Sequence, residues 1–197
     1  MTVDDMTIDP TTTAPVHGEF LNEVEIQNRS SLAVDQVSFR RATEGDREFI
    51  IRMNHLTETW GDEDATRGRD FTESDHRYVG LWEPRQGGVI ADRGGVPIGA
   101  AWLRTFTAED PGTGFVADAY PEVAIAVEPD HSGGGVGRRL LQAVLDQAQA
   151  DGHPGVSLCV EDGNHRAQGL YEKTGFRHVT TTESGGSRYM VMVYVFD

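Results

Sequence analysis

The residues best placed to do chemistry lie in a glycine-rich segment that follows an apolar run and precedes a helical pattern. Glycines let backbone N–H groups face a ligand without an obstructing Cβ, and a helix N-terminus carries about half a positive charge. Phosphate oxygens are stabilised at such a junction. The segment therefore predicts a phosphate cradle, with a flexible glycine turn as the alternative. The cradle residues are Ser132, Gly133, Gly134, Gly135, Val136, Gly137 and Arg138.

The spacing of the cradle excludes two common nucleotide motifs. A dinucleotide G-x-G-x-x-G starting at Gly133 would need glycine at Arg138, and a Walker loop would need Gly-Lys-Ser/Thr. The segment reads Pro129-x-x-x-Gly-x-Gly-Val-Gly-x-x-Leu, which resembles the pyrophosphate-binding motif of GNAT, the superfamily of acyl-CoA-dependent N-acetyltransferases. The stretch from Ser157 to Phe176 is similar to the second motif of that family. The resemblance covers about residues 37 to 196.

This resemblance implies an N-acetyltransferase that moves an acetyl group from acetyl-CoA to a primary amine of a small molecule or peptide. Direct attack within a ternary complex is the implied mechanism. The cosubstrate is expected on the cradle and on Ile125, Ala126, Val127 and Asn164. The family usually has Arg or Gln where this chain has Ser132, and Arg138 or Arg139 is expected to compensate. A catalytically silent acyl-CoA-binding sensor or assembly module is the alternative function.

Amine attack on a thioester requires a base for the amine proton and a proton for the departing thiolate. Glu122, on the strand that enters the cradle, is the candidate base, and the resemblance implies that it acts through water. The alternative is an ordinary solvated carboxylate at a strand edge. Tyr171 is implied as the acid, with a buried packing tyrosine as the alternative. Asn164 shares its helix face, since seven residues span about 700° of rotation, but Asn164 also suits a helix N-cap.

Hydrophobic periodicity predicts the elements that position these residues. Strands are expected at 37–40, 123–127 and 156–160, and helices at about 44–59, 136–148 and 164–173. Hairpins are expected around Arg93-Gly94-Gly95 and Ser184-Gly185-Gly186. The predicted fold class is α/β (α+β), with a single mixed, mostly antiparallel sheet flanked by helices, as in the GNAT-like acyl-CoA N-acyltransferase fold.

Composition limits the partners and the location. The formal charge is −15, from 32 acids against 17 bases, which argues against nucleic acid. No apolar run approaches the roughly 20 residues of a membrane span, and no basic, apolar signal peptide begins the chain. We therefore expect no membrane partner and a cytoplasmic location. Cys159 is the one cysteine, and no Cys/His spacing indicates a metal site, so no metal is predicted.

Two acidic regions stand out, one before the predicted catalytic domain of residues 37–197 and one inside it. Residues 1–36 hold seven acids against Arg29, which predicts an acidic, largely disordered extension. The family resemblance implies that the connection between the first two helices forms the acceptor side. Residues 58–75 of this connection hold seven acids, and we expect this acidic rim to attract a cationic acceptor. Trp60, Trp82 and Trp102 are candidates for either an acceptor pocket or the core. A homodimer is left open.

Overall fold

The computed structural model describes residues 36–197, so the predicted extension of residues 1–36 lies, apart from Gln36, outside the described residues. The described residues contain seven strands: β1 (Val37–Arg41), β2 (Gly88–Arg93), β3 (Val96–Arg104), β4 (Glu122–Val127), β5 (Gly155–Glu161), β6 (Arg177–Ser184) and β7 (Ser187–Val195). The helices are α1 (Arg47–Glu58), α2 (Thr72–Asp75), α3 (Val136–Ala150) and α4 (His165–Thr174). A π-helical turn, His76–Gly80, continues from α2.

The strands form one mixed sheet in the order β1-β2-β3-β4-β5-β7-β6. Each neighbouring pair is antiparallel except β4 and β5, which are parallel. This arrangement confirms the predicted fold class. The two predicted hairpins are also present, as β2–β3 and β6–β7.

Helices cover both faces of the sheet, and each face has its own apolar cluster. Strand β4 contributes to both clusters because successive side chains of a strand point to opposite faces. Val123, Ile125 and Val127 pack in the cluster of α3 and α4, whereas Ala124 and Ala126 pack in the cluster of α1. Glu122 has the parity of Ala124 and therefore points to the α1 face.

The three tryptophans separate into two environments. Trp82 and Trp102 are fully buried in the α1 cluster, so their assignment to an acceptor pocket is wrong and the core alternative is confirmed. Each indole still finds a partner, since Trp82 donates to the carbonyl of Gly87 and Trp102 to that of Tyr78, both over 3.0 Å. Trp60 is 49% exposed.

A 3₁₀ turn, Glu44–Asp46, leads into α1 and is held by a carboxylate. Asp46 accepts hydrogen bonds from the backbone N–H and the hydroxyl of Thr43, each over 2.8 Å. Arg40 binds both Asp46 and Asp92 over 2.7 Å, and its guanidinium lowers the pKa of Asp46 to about 2. The predicted helix start is therefore held by Asp46 as much as by Thr43, and it is tied to β1 and β2.

Within residues 36–197, no helix has the length and apolar character needed to cross a bilayer. No group of three or more His, Cys, Asp and Glu side chains in the same range is arranged to hold a metal ion.

Candidate functional site

The glycine loop connects β4 to α3 and faces open space. Gly133 and Gly135 have φ values of 86° and 79°, a left-handed conformation that favours glycine. A Cβ added at Gly133, Gly134 or Gly135 would meet no atom within 4 Å. The outer surface of the loop is thus accessible to a ligand, and two of its glycines are required by backbone conformation.

The backbone donors of this loop divide into bonded and free groups. Ser132 uses both its N–H and its hydroxyl to donate to the carbonyl of Pro129, over 3.1 and 2.7 Å. The N–H of Arg139 donates to Gly135 over 3.1 Å as the helix begins. Within residues 36–197, the six N–H groups from Gly133 to Arg138 have no acceptor. These donors lie at a helix N-terminus and fit a diphosphate.

The two arginines after the loop differ in their contacts. Arg139 donates to the carbonyl of Val37 over 3.2 Å and stacks 4.8 Å above the ring of Phe39, so it holds α3 to β1. Arg138 is exposed. Arg138 is therefore the better candidate for a phosphate contact, and the engaged donors of Ser132 do not favour the predicted role of that residue.

Strands β4 and β5 separate just before the loop. Their pairing is limited to Glu122 and Ser157, although β4 continues to Val127 and β5 to Glu161. This separation leaves backbone donors of the two strands without a partner across the gap. The gap between the two strands leads from Glu122 toward the cradle.

Strand geometry decides which amides face the gap. Glu128 donates to Ile98 on β3 over 2.9 Å, while Pro121 accepts from Ser157 on β5 over 2.9 Å. Because alternate residues direct their N–H groups to the same edge, Ile125 and Val127 face β5 and Ala126 faces β3. The cosubstrate contacts expected at Ile125 and Val127 can therefore be made by their backbone N–H groups, whereas the N–H of Ala126 belongs to the β3 ladder.

Glu122 lies in a closed pocket at the foot of the gap. Only 3% of the residue is exposed, so the solvated-carboxylate alternative is wrong. Its Oε1 accepts from the hydroxyl of Tyr78 over 3.0 Å and lies 3.7 Å from Cys159 Sγ. Burial raises the pKa of Glu122 to about 7, against the opposing effects of Tyr78, the N–H of Gly114 and Cys159. A carboxylate with this pKa can accept and release a proton near neutral pH.

Two buried oxygens in this pocket have no hydrogen-bond partner within the described range, Oε2 of Glu122 and Oγ of Ser157. The two residues are register partners, so their side chains lie on the same face of the sheet. Unpaired buried polar atoms are rare in folded proteins and often mark a functional position. The pair fits a base that reaches its substrate through a water molecule.

The loop between β3 and β4 closes this pocket with two glycines. A Cβ at Gly112 would collide with Oε2 of Glu122, and one at Gly114 would lie 2.6 Å from the backbone carbon of Leu158. The sequence offers only the Gly-x-Gly spacing after Pro111 as a signal of this loop, and that spacing does not reveal which strand the loop covers.

Tyr171 and Asn164 lie on α4, on the other side of the sheet from Glu122. Tyr171 is buried, packs 5.9 Å from the ring of Phe176, and has its pKa raised above the ordinary value by burial. The oxygen Oδ1 of Asn164 accepts from the N–H of Ala167 over 3.2 Å, so the predicted N-cap is confirmed. The candidate acid and base therefore belong to opposite faces of the sheet.

A surface depression of about 280 Å³ lies outside the pocket of Glu122, lined by Glu73, Arg77, Pro111, Gly112, Thr113, Thr182, Glu183 and Ser184. The acidic rim contributes Glu73 to it. Five of the seven rim carboxylates bond to local partners, namely Glu58, Asp62, Asp64, Asp70 and Asp75. Most carboxylates of the rim therefore stabilise the local structure of the segment through these bonds.

The known proteins that this chain resembles are acetyltransferases. The profile of the "Acetyltransferase (GNAT) family" matches residues 51–176, more than half of the chain. A mycothiol acetyltransferase of Amycolatopsis mediterranei is 31% identical over 155 residues, which are 77% of this chain and 50% of that protein. The chain thus spans about half the length of that relative.

Solved structures with the same fold have lower sequence identity. A protein of Salmonella typhimurium solved with its cofactor acetyl-CoA is 22% identical, with a TM-score of 0.61 over 82% of this chain and 94% of that one. The ribosomal-protein-alanine N-acetyltransferase of Brucella melitensis is 23% identical, with a TM-score of 0.59 over 81% of this chain and 99% of that one. At these identities the likeness establishes the fold.

Proposed function

Because this chain belongs to the acetyltransferase (GNAT) family, we propose that it transfers an acetyl group from acetyl-CoA to the primary amine of a small molecule. The observation that carries the proposal is the gap between β4 and β5. Glu122 lies at one end of this gap and the six free loop amides lie at the other. A CoA-dependent transferase needs a phosphate anchor and a proton acceptor joined by one channel.

The backbone supplies the groups that would hold acetyl-CoA. The amides from Gly133 to Arg138 fit the diphosphate, and those of Ile125 and Val127 would bind along the gap. When bound, acetyl-CoA supplies an acetyl group activated as a thioester. Uncharged donors fixed by the fold need no rearrangement to bind an oxygen that gains negative charge.

Two side chains would move the protons. Glu122 takes the proton that the acceptor amine must lose, through water near its unpaired Oε2. Tyr171 keeps its phenolic proton because burial raises its pKa, and it can donate that proton to the departing sulfur. We propose direct attack by the amine in a ternary complex, with no covalent enzyme intermediate.

The acceptor is proposed to enter by the depression beside Glu73 and Arg77. The relatives named mycothiol acetyltransferase favour a small molecule over a peptide as the acceptor. The net charge of −15 favours a cationic amine, which salt would screen. A homodimer and a cytoplasmic location stay predictions.

The test is release of CoA thiol from acetyl-CoA with a panel of cationic and neutral amines, measured at low and high ionic strength. We expect turnover with at least one amine, and about a hundredfold lower kcat for Tyr171→Phe. Tyr194→Phe is the matched control, since Tyr194 packs 5.5 Å from the same Phe176 ring. Binding of acetyl-CoA without turnover on any amine would instead favour the silent sensor. A preference for neutral amines at every salt concentration would remove the cationic acceptor.

A further inference from the structure

Tyr78 lies against the proposed base, and nothing in its sequence context suggests a role. Its hydroxyl donates to Oε1 of Glu122 over 3.0 Å and accepts from the N–H of Thr113 over 3.2 Å. A phenol has one proton to donate, and the N–H of Thr113 already occupies one side of the oxygen. The remaining geometry directs the phenolic proton to Glu122. Burial and the charge of Glu122 raise the pKa of Tyr78 well above its ordinary value, so the phenol retains this proton.

The turn that carries Tyr78 is fixed by side chains of β3, the strand next to β4. Trp102 donates to the carbonyl of Tyr78 over 3.0 Å. Arg104, which is buried, donates to the carbonyls of Arg77 and Leu81 over 2.9 Å each. These bonds stabilise a π-helical turn, a rare conformation that occurs frequently at functional sites. The phenol is therefore held in a constant position relative to Glu122.

Several other groups face Glu122. Cys159 approaches from β5 at 3.7 Å, and the N–H of Gly114 approaches from the covering loop. Arg104, the register partner of Glu122 on β3, directs its donors to backbone carbonyls and to Gln86. Arg77 acts only through its charge. Since a thiol is a weak donor, the hydroxyl of Tyr78 is the strongest side-chain donor to Glu122 in the described part of the chain.

We propose that Tyr78 is a positioning residue for the reaction, whose hydroxyl fixes Oε1 of Glu122 and leaves Oε2 free to accept the proton of the amine. This inference rests on the proposed function. The bond is made to the ionised carboxylate and stabilises it, so removing the hydroxyl raises the pKa of Glu122.

The first experiment measures kcat/KM against pH for the wild type and Tyr78→Phe. The acid limb of the wild-type profile is expected near pH 7. In Tyr78→Phe the limb is expected to move up by about one pH unit, with roughly tenfold lower activity at pH 6 and little loss at pH 9. Tyr120→Phe is the control, because it removes a phenolic hydroxyl that does not contact Glu122, and its profile should match the wild type. An equal loss at every pH, with an unmoved limb, would mean a merely structural role and would overturn the inference.

The second experiment titrates the carboxyl carbon of Glu122 by ¹³C NMR without cosubstrate or acceptor. A higher midpoint in Tyr78→Phe supports the inference, even if no amine is acetylated, in which case the proposed function alone fails. An unchanged midpoint overturns it. If Tyr78→Phe does not fold, the ring Cζ of Tyr78 in the wild type should titrate with the midpoint of Glu122 and lose that titration in Glu122→Gln. Independent titrations would again overturn the inference.

Discussion

The glycine loop and the pocket of Glu122 lie at two ends of one gap but are built by opposite means. The loop is open, and its functional groups are backbone amides that six consecutive residues supply. The pocket is closed, and its contacts join residues distant in sequence, such as Tyr78 and Cys159, which lie 44 and 37 positions from Glu122. Anchoring is therefore a local property of this chain, whereas proton transfer depends on the assembled fold.

The largest expected effect tests the pocket. Glu122→Gln removes the base, so kcat/KM at pH 8 should fall on the order of a thousandfold, while the affinity for CoA, measured by calorimetry, stays unchanged. A loss of CoA affinity of similar size would break the division between the two regions.

Glu122→Gln should also change the free energy of unfolding. Because folding raises the pKa of Glu122 from 4.5 to about 7, the folded state holds this proton more tightly, and stability falls as pH rises through that window. Gln does not ionise, so Glu122→Gln should be more stable than the wild type at pH 8 by up to about 3 kcal/mol, with no such gain at pH 4. Denaturant unfolding at both pH values measures this difference.

A smaller effect is expected from strain in the loop. Gly135→Ala places a Cβ at a φ of 79°, which costs about 1–2 kcal/mol, and relief of this strain would turn amides away from the ligand. We expect roughly tenfold weaker CoA binding. Gly152→Ala is the control, since Gly152 has a φ of 86° at the other end of α3 with equal free space. It should lose stability but not affinity, and equal affinities for the two variants would contradict the cradle.

Arg138 and Arg139 should differ in how much they contribute to CoA binding. Arg138→Ala should weaken CoA binding by roughly 1 to 2 kcal/mol. Arg139→Ala should weaken it less and should lower the melting temperature, because Arg139 bonds to Val37. The reverse order in a calorimetric titration would assign the phosphate contact to Arg139.

The smallest effect concerns a glycine outside both regions. Gly169 lies inside α4, and an added Cβ would meet nothing within 4 Å. Gly169→Ala should therefore stabilise the protein by about 0.5–1 kcal/mol, measured by denaturant unfolding. A destabilised variant would show that α4 has a constraint that its contacts do not reveal.

The sequence predicted the features that local physics determines. The strand, glycine loop and helix of β4 and α3, the N-cap at Asn164 and both hairpins follow from periodicity and capping within short windows. The burial of Glu122 did not follow from any short window. It depends on the π-helical turn, whose Tyr78 lies 44 positions away, and on the loop through Gly112 and Gly114, which folds back over the strand that it precedes. Trp82 and Trp102 were ambiguous for the same reason, since burial depends on how α1 packs on the sheet.

The anchor of uncharged amides has a consequence for a protein with a net charge of −15. Coenzyme A is itself an anion, so the long-range electric field of the negatively charged protein slows its approach. The hydrogen bonds from the backbone amides, by contrast, act only at contact. Added electrolyte screens the first effect over a distance of about 10 Å at 0.1 M and leaves the second nearly intact. Capture of the coenzyme should therefore become faster as ionic strength rises, and its release should respond to salt only through the contact with Arg138.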